Sequence, residues 1–67
     1  MLSARNQLKG TVKSVKMDGV MAEIVITVGS NDIVSLISRT SAENLKLKVG
    51  DKATAIVKAT EVIVGKD

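Results

Sequence analysis

The chain has no cysteine, no histidine, no proline and no aromatic residue. Each absence removes a class of structure or chemistry. Without Cys no disulfide can staple the fold, and without Cys or His a zinc staple lacks its usual ligands. Without His, acid–base catalysis near neutral pH loses its commonest side chain. Without Phe, Tyr or Trp the stacking platform of single-strand-binding barrels is missing, and stacking is worth about 1–3 kcal/mol per base. Arginine can also stack, but only Arg5 and Arg39 occur. No apolar run approaches the roughly 18 residues of a membrane span, and the N-terminus lacks the charged-then-apolar plan of a signal peptide. The expectation is a cytoplasmic protein with neither membrane nor nucleic acid as partner. Lack of Cys agrees with that compartment.

What remains is aliphatic. At 67 residues the sequence has room for one domain, yet 45% of it is apolar. A domain this small buries only about 60% of the surface its unfolded chain exposes. With no disulfide or metal staple, a homo-oligomer that buries the surplus is expected. Ten basic and seven acidic residues give a net charge of +3, spread along the chain, which suits a solvated surface better than a nucleic-acid stripe.

Without proline or low-complexity stretches there is no linker. Residues 5–16 alternate, with Leu8, Gly10 and Val12 on one face and Lys9, Thr11 and Lys13 on the other, so a strand is predicted. Asp18-Gly19 signals a turn. Val20 to Val28 is β-branched, with Ala22, Ile24, Ile26 and Val28 on one face and Met21 and Val25 on the other, which predicts a strand covered on both sides. A second turn at Gly29-Ser30-Asn31-Asp32 leads to a third strand over 33–39. Thr40-Ser41-Ala42-Glu43 has capping-box form with Thr40 as N-cap, opening a short helix that buries Ala42, Leu45 and Leu47. Two more strands follow, over 52–59 and 60–65. The fold class is all-β with one short helix, in the order β-β-β-α-β-β. That is the order of a five-stranded OB-like barrel; an open sheet or half-sandwich is the alternative.

The acids offer little to catalysis. Asp18 and Asp32 sit in turns, Glu43 has a capping role and Asp51 follows a glycine turn, so no enzyme activity is expected. Three polar clusters point elsewhere: Ser3-Ala4-Arg5-Asn6, Ser38-Arg39-Thr40-Ser41 and Lys58-Ala59-Thr60-Glu61. Each sets hydroxyls and backbone amides beside a fixed positive charge. A tetrahedral dianion needs such donors around its oxygens and a cation to offset its charge. Every one of these residues also has a structural reading. Ser3 and Asn6 can be tail or turn residues, Arg5 and Lys58 solvated charges, Thr40 a helix cap, Ser41 a first-turn residue and Gly19 a turn glycine.

The segments together resemble the molbindins, small molybdate-binding proteins made of a single Mop or TOBE domain. The resemblance rests on Ser3-Ala4-Arg5-Asn6-Gln7-Leu8-Lys9-Gly10, Gly19-Val20-Met21-Ala22-Glu23, Ser38-Arg39-Thr40-Ser41 and Lys58-Ala59-Thr60-Glu61-Val62, and it spans residues 1–67. It implies an OB-like fold, a homohexamer built as a trimer of dimers, and molybdate, often also tungstate, held between subunits. By the same resemblance Ser3, Ala4 and Arg5 form one oxyanion-binding segment and Lys58 and Ala59 a second. Ser38 and Ser41 add hydroxyls from a neighbouring subunit. The family more often carries Thr where Ser38 stands; serine keeps the hydroxyl. A second class of site is implied around the backbone of Gly19, Val20, Met21 and Ala22, with Asn6. Relatives that fuse this domain to a DNA-binding region or a transport ATPase carry parts not seen in this sequence, so a stand-alone molbindin that stores and buffers molybdate is expected. A nucleic-acid-binding OB module and a purely structural oligomerisation domain are the rival readings.

Overall fold

A computed structural model describes residues 4–66. Three strands come first: β1 (Asn6–Asp18), β2 (Met21–Val28) and β3 (Asn31–Ser38). A six-residue helix, α1 (Arg39–Asn44), leads to β4 (Lys52–Val57) and a 3-10 turn at Ala59–Glu61. The strands form one curled antiparallel sheet in the order β3-β2-β1-β4. Gly19 and Gly29, each at φ 62°, make the two hairpin turns that their sequences predict.

One face of the sheet carries the core. Val12, Ala22, Ile24, Ile26, Ala42 and Ala55 are buried, and Val15, Val28, Ile33, Ile37, Leu47 and Ala53 pack against them. β1 lies tight on β2 at Gly10. A Cβ there would run into the Thr27 carbonyl oxygen and stand 2.9 Å from both Ile26 Cγ2 and Val28 Cγ2. A bulge between Val12 and Ser14 then shifts the register of β1 against β2, and bulges bend and twist a strand.

Four expectations need correction. The fifth strand is absent among the described residues. After Val57 the chain turns instead, the Glu61 N–H donating to the Lys58 carbonyl at 2.9 Å. Residues 62–66 then have no ladder partner, and Ile63 and Val64 are 93% and 88% exposed. Second, the other face of β2 is only partly covered within the subunit: Met21 and Glu23 are exposed and Val25 is half-buried. Third, the N-cap is Ser38 and not Thr40. Ser38 keeps extended backbone as the last residue of β3, and its hydroxyl accepts from the Ser41 N–H. Glu43 pairs with Arg39 instead, Nε to Oε2, at 3.5 Å. Fourth, Leu45 lies beyond the helix and is exposed, so only Ala42 and Leu47 face the core. There the helix ends in a Schellman arrangement: the Lys46 N–H donates to Glu43 O and the Leu47 N–H to Ala42 O. Lys46 stands at φ 53°, where glycine is usual.

Candidate functional site

The β1–β4 ladder joins the first and last polar clusters. Asn6 stands opposite Val57, so Arg5 and Lys58, each one residue beyond its strand, leave the same end of the sheet. Ala4, Arg5, Asn6, Lys58, Ala59 and Thr60 line one open cavity of about 520 Å³. The Gln7 side-chain amide donates to the Ala4 carbonyl at 2.9 Å and holds the incoming segment. The 3-10 turn starts inside the cavity lining, at Ala59. The ion pairs found among the described residues are Lys13–Asp32 and Arg39–Glu43, so Arg5 and Lys58 keep their charge for a ligand. Two cations without an ion-pair partner among the described residues, beside backbone amides and the Thr60 hydroxyl, suit a small oxyanion. Ser3, expected in this group, lies outside the described residues. Thr60 joins the cavity although the expected site stopped at Ala59; the Lys58-Ala59-Thr60 run was its signal.

The middle cluster sits elsewhere. Ser38 is the last residue of β3 and pairs with Met21 of β2, which lies across the β1–β2 turn from Asp18. That is the opposite end of β1 from Asn6. β1 runs thirteen residues from Asn6 to Asp18, in a molecule whose longest dimension is 34 Å. Ser38 Oγ donates to Ser41 Oγ at 2.8 Å and accepts from the Ser41 N–H at 3.1 Å. The amide at the start of α1 is therefore engaged by its own cap, and the seryl pair offers hydroxyl rather than backbone chemistry.

The turn residues Gly19, Val20, Met21 and Ala22 share this far end with Ser38 and Ser41. Asn6, expected beside them, lies instead in the near-end cavity. Ala22 is fully buried and can present backbone only. Val20 is 80% exposed. Arg39, which the expected site omitted, joins the two parts of the far end. Its N–H donates to the Val20 carbonyl at 2.7 Å, and its guanidinium reaches the Gly19 carbonyl at 3.5 Å. Its signal was present in the run Ser38-Arg39-Thr40-Ser41.

The polar clusters therefore fall into two groups on the described structure, Arg5 and Lys58 with the cavity residues in one and Ser38, Arg39 and Ser41 with the Gly19 turn in the other. Among the described residues no group of three or more acidic, His or Cys side chains could hold a metal cation, and no helix is long and apolar enough to cross a membrane.

Comparison with known proteins gives concordant matches. The family model described as TOBE domain matches residues 2–64. Molybdenum-pterin-binding protein 2 of Clostridium pasteurianum is 48% identical over 64 residues, covering 94% of each chain. The structure of a molybdate-binding protein from Sporomusa ovata superposes with a TM-score of 0.93 at 44% identity, covering 98% of both chains. The cytoplasmic molybdate-binding protein ModG, solved with molybdate bound, superposes with a TM-score of 0.88 at 39% identity, over 94% of this chain and 45% of that one.

Proposed function

The chain belongs to the TOBE-domain family, and from that premise we propose that it is a molybdate-binding protein whose sites form between copies of itself. The observation that carries the reading is the separation of the two half-sites. Arg5 and Lys58 supply charge at one end of the sheet, and Ser38 and Ser41 supply hydroxyls at the other. Along the ladders these groups leave opposite ends of β1. A second copy, its far end against the near end of the first, brings them together. Ser3, Ala4, Arg5, Lys58 and Ala59 of one copy then surround the anion with Ser38 and Ser41 of the other. The backbone of Gly19, Val20, Met21 and Ala22 forms a second class of site.

The same assembly completes the barrel. β3 and β4 are the sheet edges, and an open gap of about 640 Å³ between them is lined by Ile33 and Ser35 on one side and Ala55 and Val57 on the other. The exposed apolar Val62-Ile63-Val64 segment of a second copy supplies the core of the missing fifth strand. Its burial there gives a five-stranded OB-like barrel and covers the aliphatic surplus. A homohexamer arranged as a trimer of dimers extends this pairing.

The role is reversible capture, storage and homeostasis of the dianion in the cytoplasm, without chemistry on it. Names of the matched proteins that refer to molybdate or molybdenum support the ligand, and tungstate offers the same four-oxygen geometry. Calorimetric titration with molybdate, tungstate, sulfate and phosphate, with sedimentation of the loaded protein, tests the reading. Heat with molybdate and a multimeric species are expected. Oligonucleotide binding with a steep salt slope would replace it with the nucleic-acid module, and an assembly indifferent to every anion would leave a structural oligomerisation domain.

A further inference from the structure

We infer that Gln7 is a positioning residue of the Arg5–Lys58 cavity: it turns the Ala4–Arg5 peptide so that the Arg5 N–H, and not the Ala4 carbonyl, faces the bound anion. The inference rests on the proposed molybdate site. The Gln7 Nε2 donates to the Ala4 carbonyl at 2.9 Å. A carbonyl oxygen only accepts, so the nitrogen end of the side-chain amide is the end that meets it. Gln7 is exposed and stands outside the cavity lining, whereas Ala4, Arg5 and Asn6 belong to it. The Ala4 carbonyl is thereby drawn toward a group outside the cavity.

In a planar trans peptide the C=O and the following N–H point in opposite directions, and the Ala4–Arg5 bond is trans. Turning the Ala4 oxygen toward Gln7 therefore turns the Arg5 N–H the other way, toward the cavity. The direction matters because the two ends of one peptide have opposite polarity. A half-turn of this unit would replace a donor by a carbonyl oxygen, which repels a dianion. From Asn6 onward the chain is fixed by its ladder pairing with β4. Ala4 and Arg5 precede the strand, and the bond from Gln7 is the one found on the Ala4 carbonyl among the described residues. A donor aimed before the ligand arrives saves the cost of ordering it on binding. Arg5 thus contributes twice, its guanidinium as charge and its N–H as an aimed donor, and Gln7 governs only the second.

Nuclear magnetic resonance of the whole protein, carrying isotopically labelled arginine and titrated with sodium molybdate, tests the assignment. Arg5 and Arg39 are the two arginines of the chain, so two backbone amide peaks are expected, and Arg39→Lys identifies the one from Arg5. In the unaltered protein the Arg5 peak should move as molybdate binds. Gln7→Met keeps the length of the side chain and removes the donor. Calorimetry should then find molybdate bound about 3- to 10-fold more weakly, the range of one ordinary hydrogen bond, and the Arg5 peak should lose its response. Gln7→Ala, at the same exposed position, should do likewise and repeats the measurement if Gln7→Met does not fold. Unchanged affinity in these variants would overturn the assignment. So would weaker binding with the Arg5 response intact, because a general loosening of the segment does not redirect one amide. A stationary Arg5 peak in unaltered protein that takes up molybdate would overturn it as well. Calorimetry on the unaltered protein distinguishes the levels: no molybdate uptake at all defeats the proposed function itself, whereas uptake indifferent to Gln7 defeats only its positioning role.

Discussion

Asn6 stands opposite Val57 in the β1–β4 ladder, and this pairing brings two clusters from the ends of the sequence to one cavity. Arg5 is the cation fixed next to that pairing. Arg5→Ala should weaken molybdate binding by about 10- to 100-fold, the range for losing charge-assisted hydrogen bonds. The side chain is exposed, so the far-ultraviolet spectrum should not change. Titration calorimetry checks the first outcome and circular dichroism the second; unchanged affinity would remove Arg5 from the site.

Lys46 provides a stability test at the C-terminal end of α1. It holds φ 53° at the end of α1, a conformation that costs a residue with a side chain about 1–2 kcal/mol. Lys46→Gly should relieve part of that strain against glycine's larger loss of chain entropy. A net gain of about 0.5–1 kcal/mol in urea unfolding is expected at a compatible C′ position.

Acid stability should report on Asp32. The Lys13 ammonium donates to its carboxylate at 2.8 Å and the Thr27 hydroxyl at 3.0 Å. The Lys13 hydrogen bond, followed by that of Thr27, holds the carboxyl below its usual 3.8. A carboxyl depressed in the folded state adds stability above its unfolded value, and that stability is lost as pH falls through the folded value. Asp32→Asn should therefore melt lower than the unaltered chain at pH 7, and the melting temperatures of the two should converge as pH falls through the depressed folded-state value. Melting temperatures measured from pH 7 to 2 check this.

Much of the fold was legible because short-range rules governed it. Gly19 and Gly29 need positive φ, and the alternation of Ala22, Ile24 and Ile26 picks the buried face. Misreadings arose where a local pattern met a competing partner or found none. Thr40 and Glu43 match a capping box, but the hydroxyl of Ser38 reaches the Ser41 amide first. Val62 and Val64 alternate as a strand should, yet β1 is flanked by β2 and β4, and no strand among the described residues pairs with them. The bulge at Val12–Ser14 has no sequence marker, since Lys13 serves as well outside a bulge. Within the site, Arg5 and Lys58 were legible as charge beside small residues. That Asn6 belongs with them, and Ser38 and Ser41 with Gly19, depended on strand register, which single-residue patterns do not encode.

Assembly should depend on the C-terminal apolar segment. Ile63 is 93% exposed in the subunit, so Ile63→Asp should leave the isolated fold intact. In the proposed barrel the same change buries an unpaired carboxylate, at a cost of several kcal/mol. Sedimentation velocity should find smaller species than for the unaltered chain. An unchanged sedimentation coefficient would mean that the segment stays exposed in the assembly.

Complementation between two defective chains tests the shared site most directly. One chain carries Arg5→Ala with Lys58→Ala, and the other Ser38→Ala with Ser41→Ala. Neither should bind molybdate tightly alone. Unfolded together and refolded as a mixture, they should regain about one tight site in four, because random pairing across a shared interface joins two intact halves that often. If each site lay within a single subunit, no mixture would recover binding, and zero regained sites in verified mixed assemblies would contradict the account.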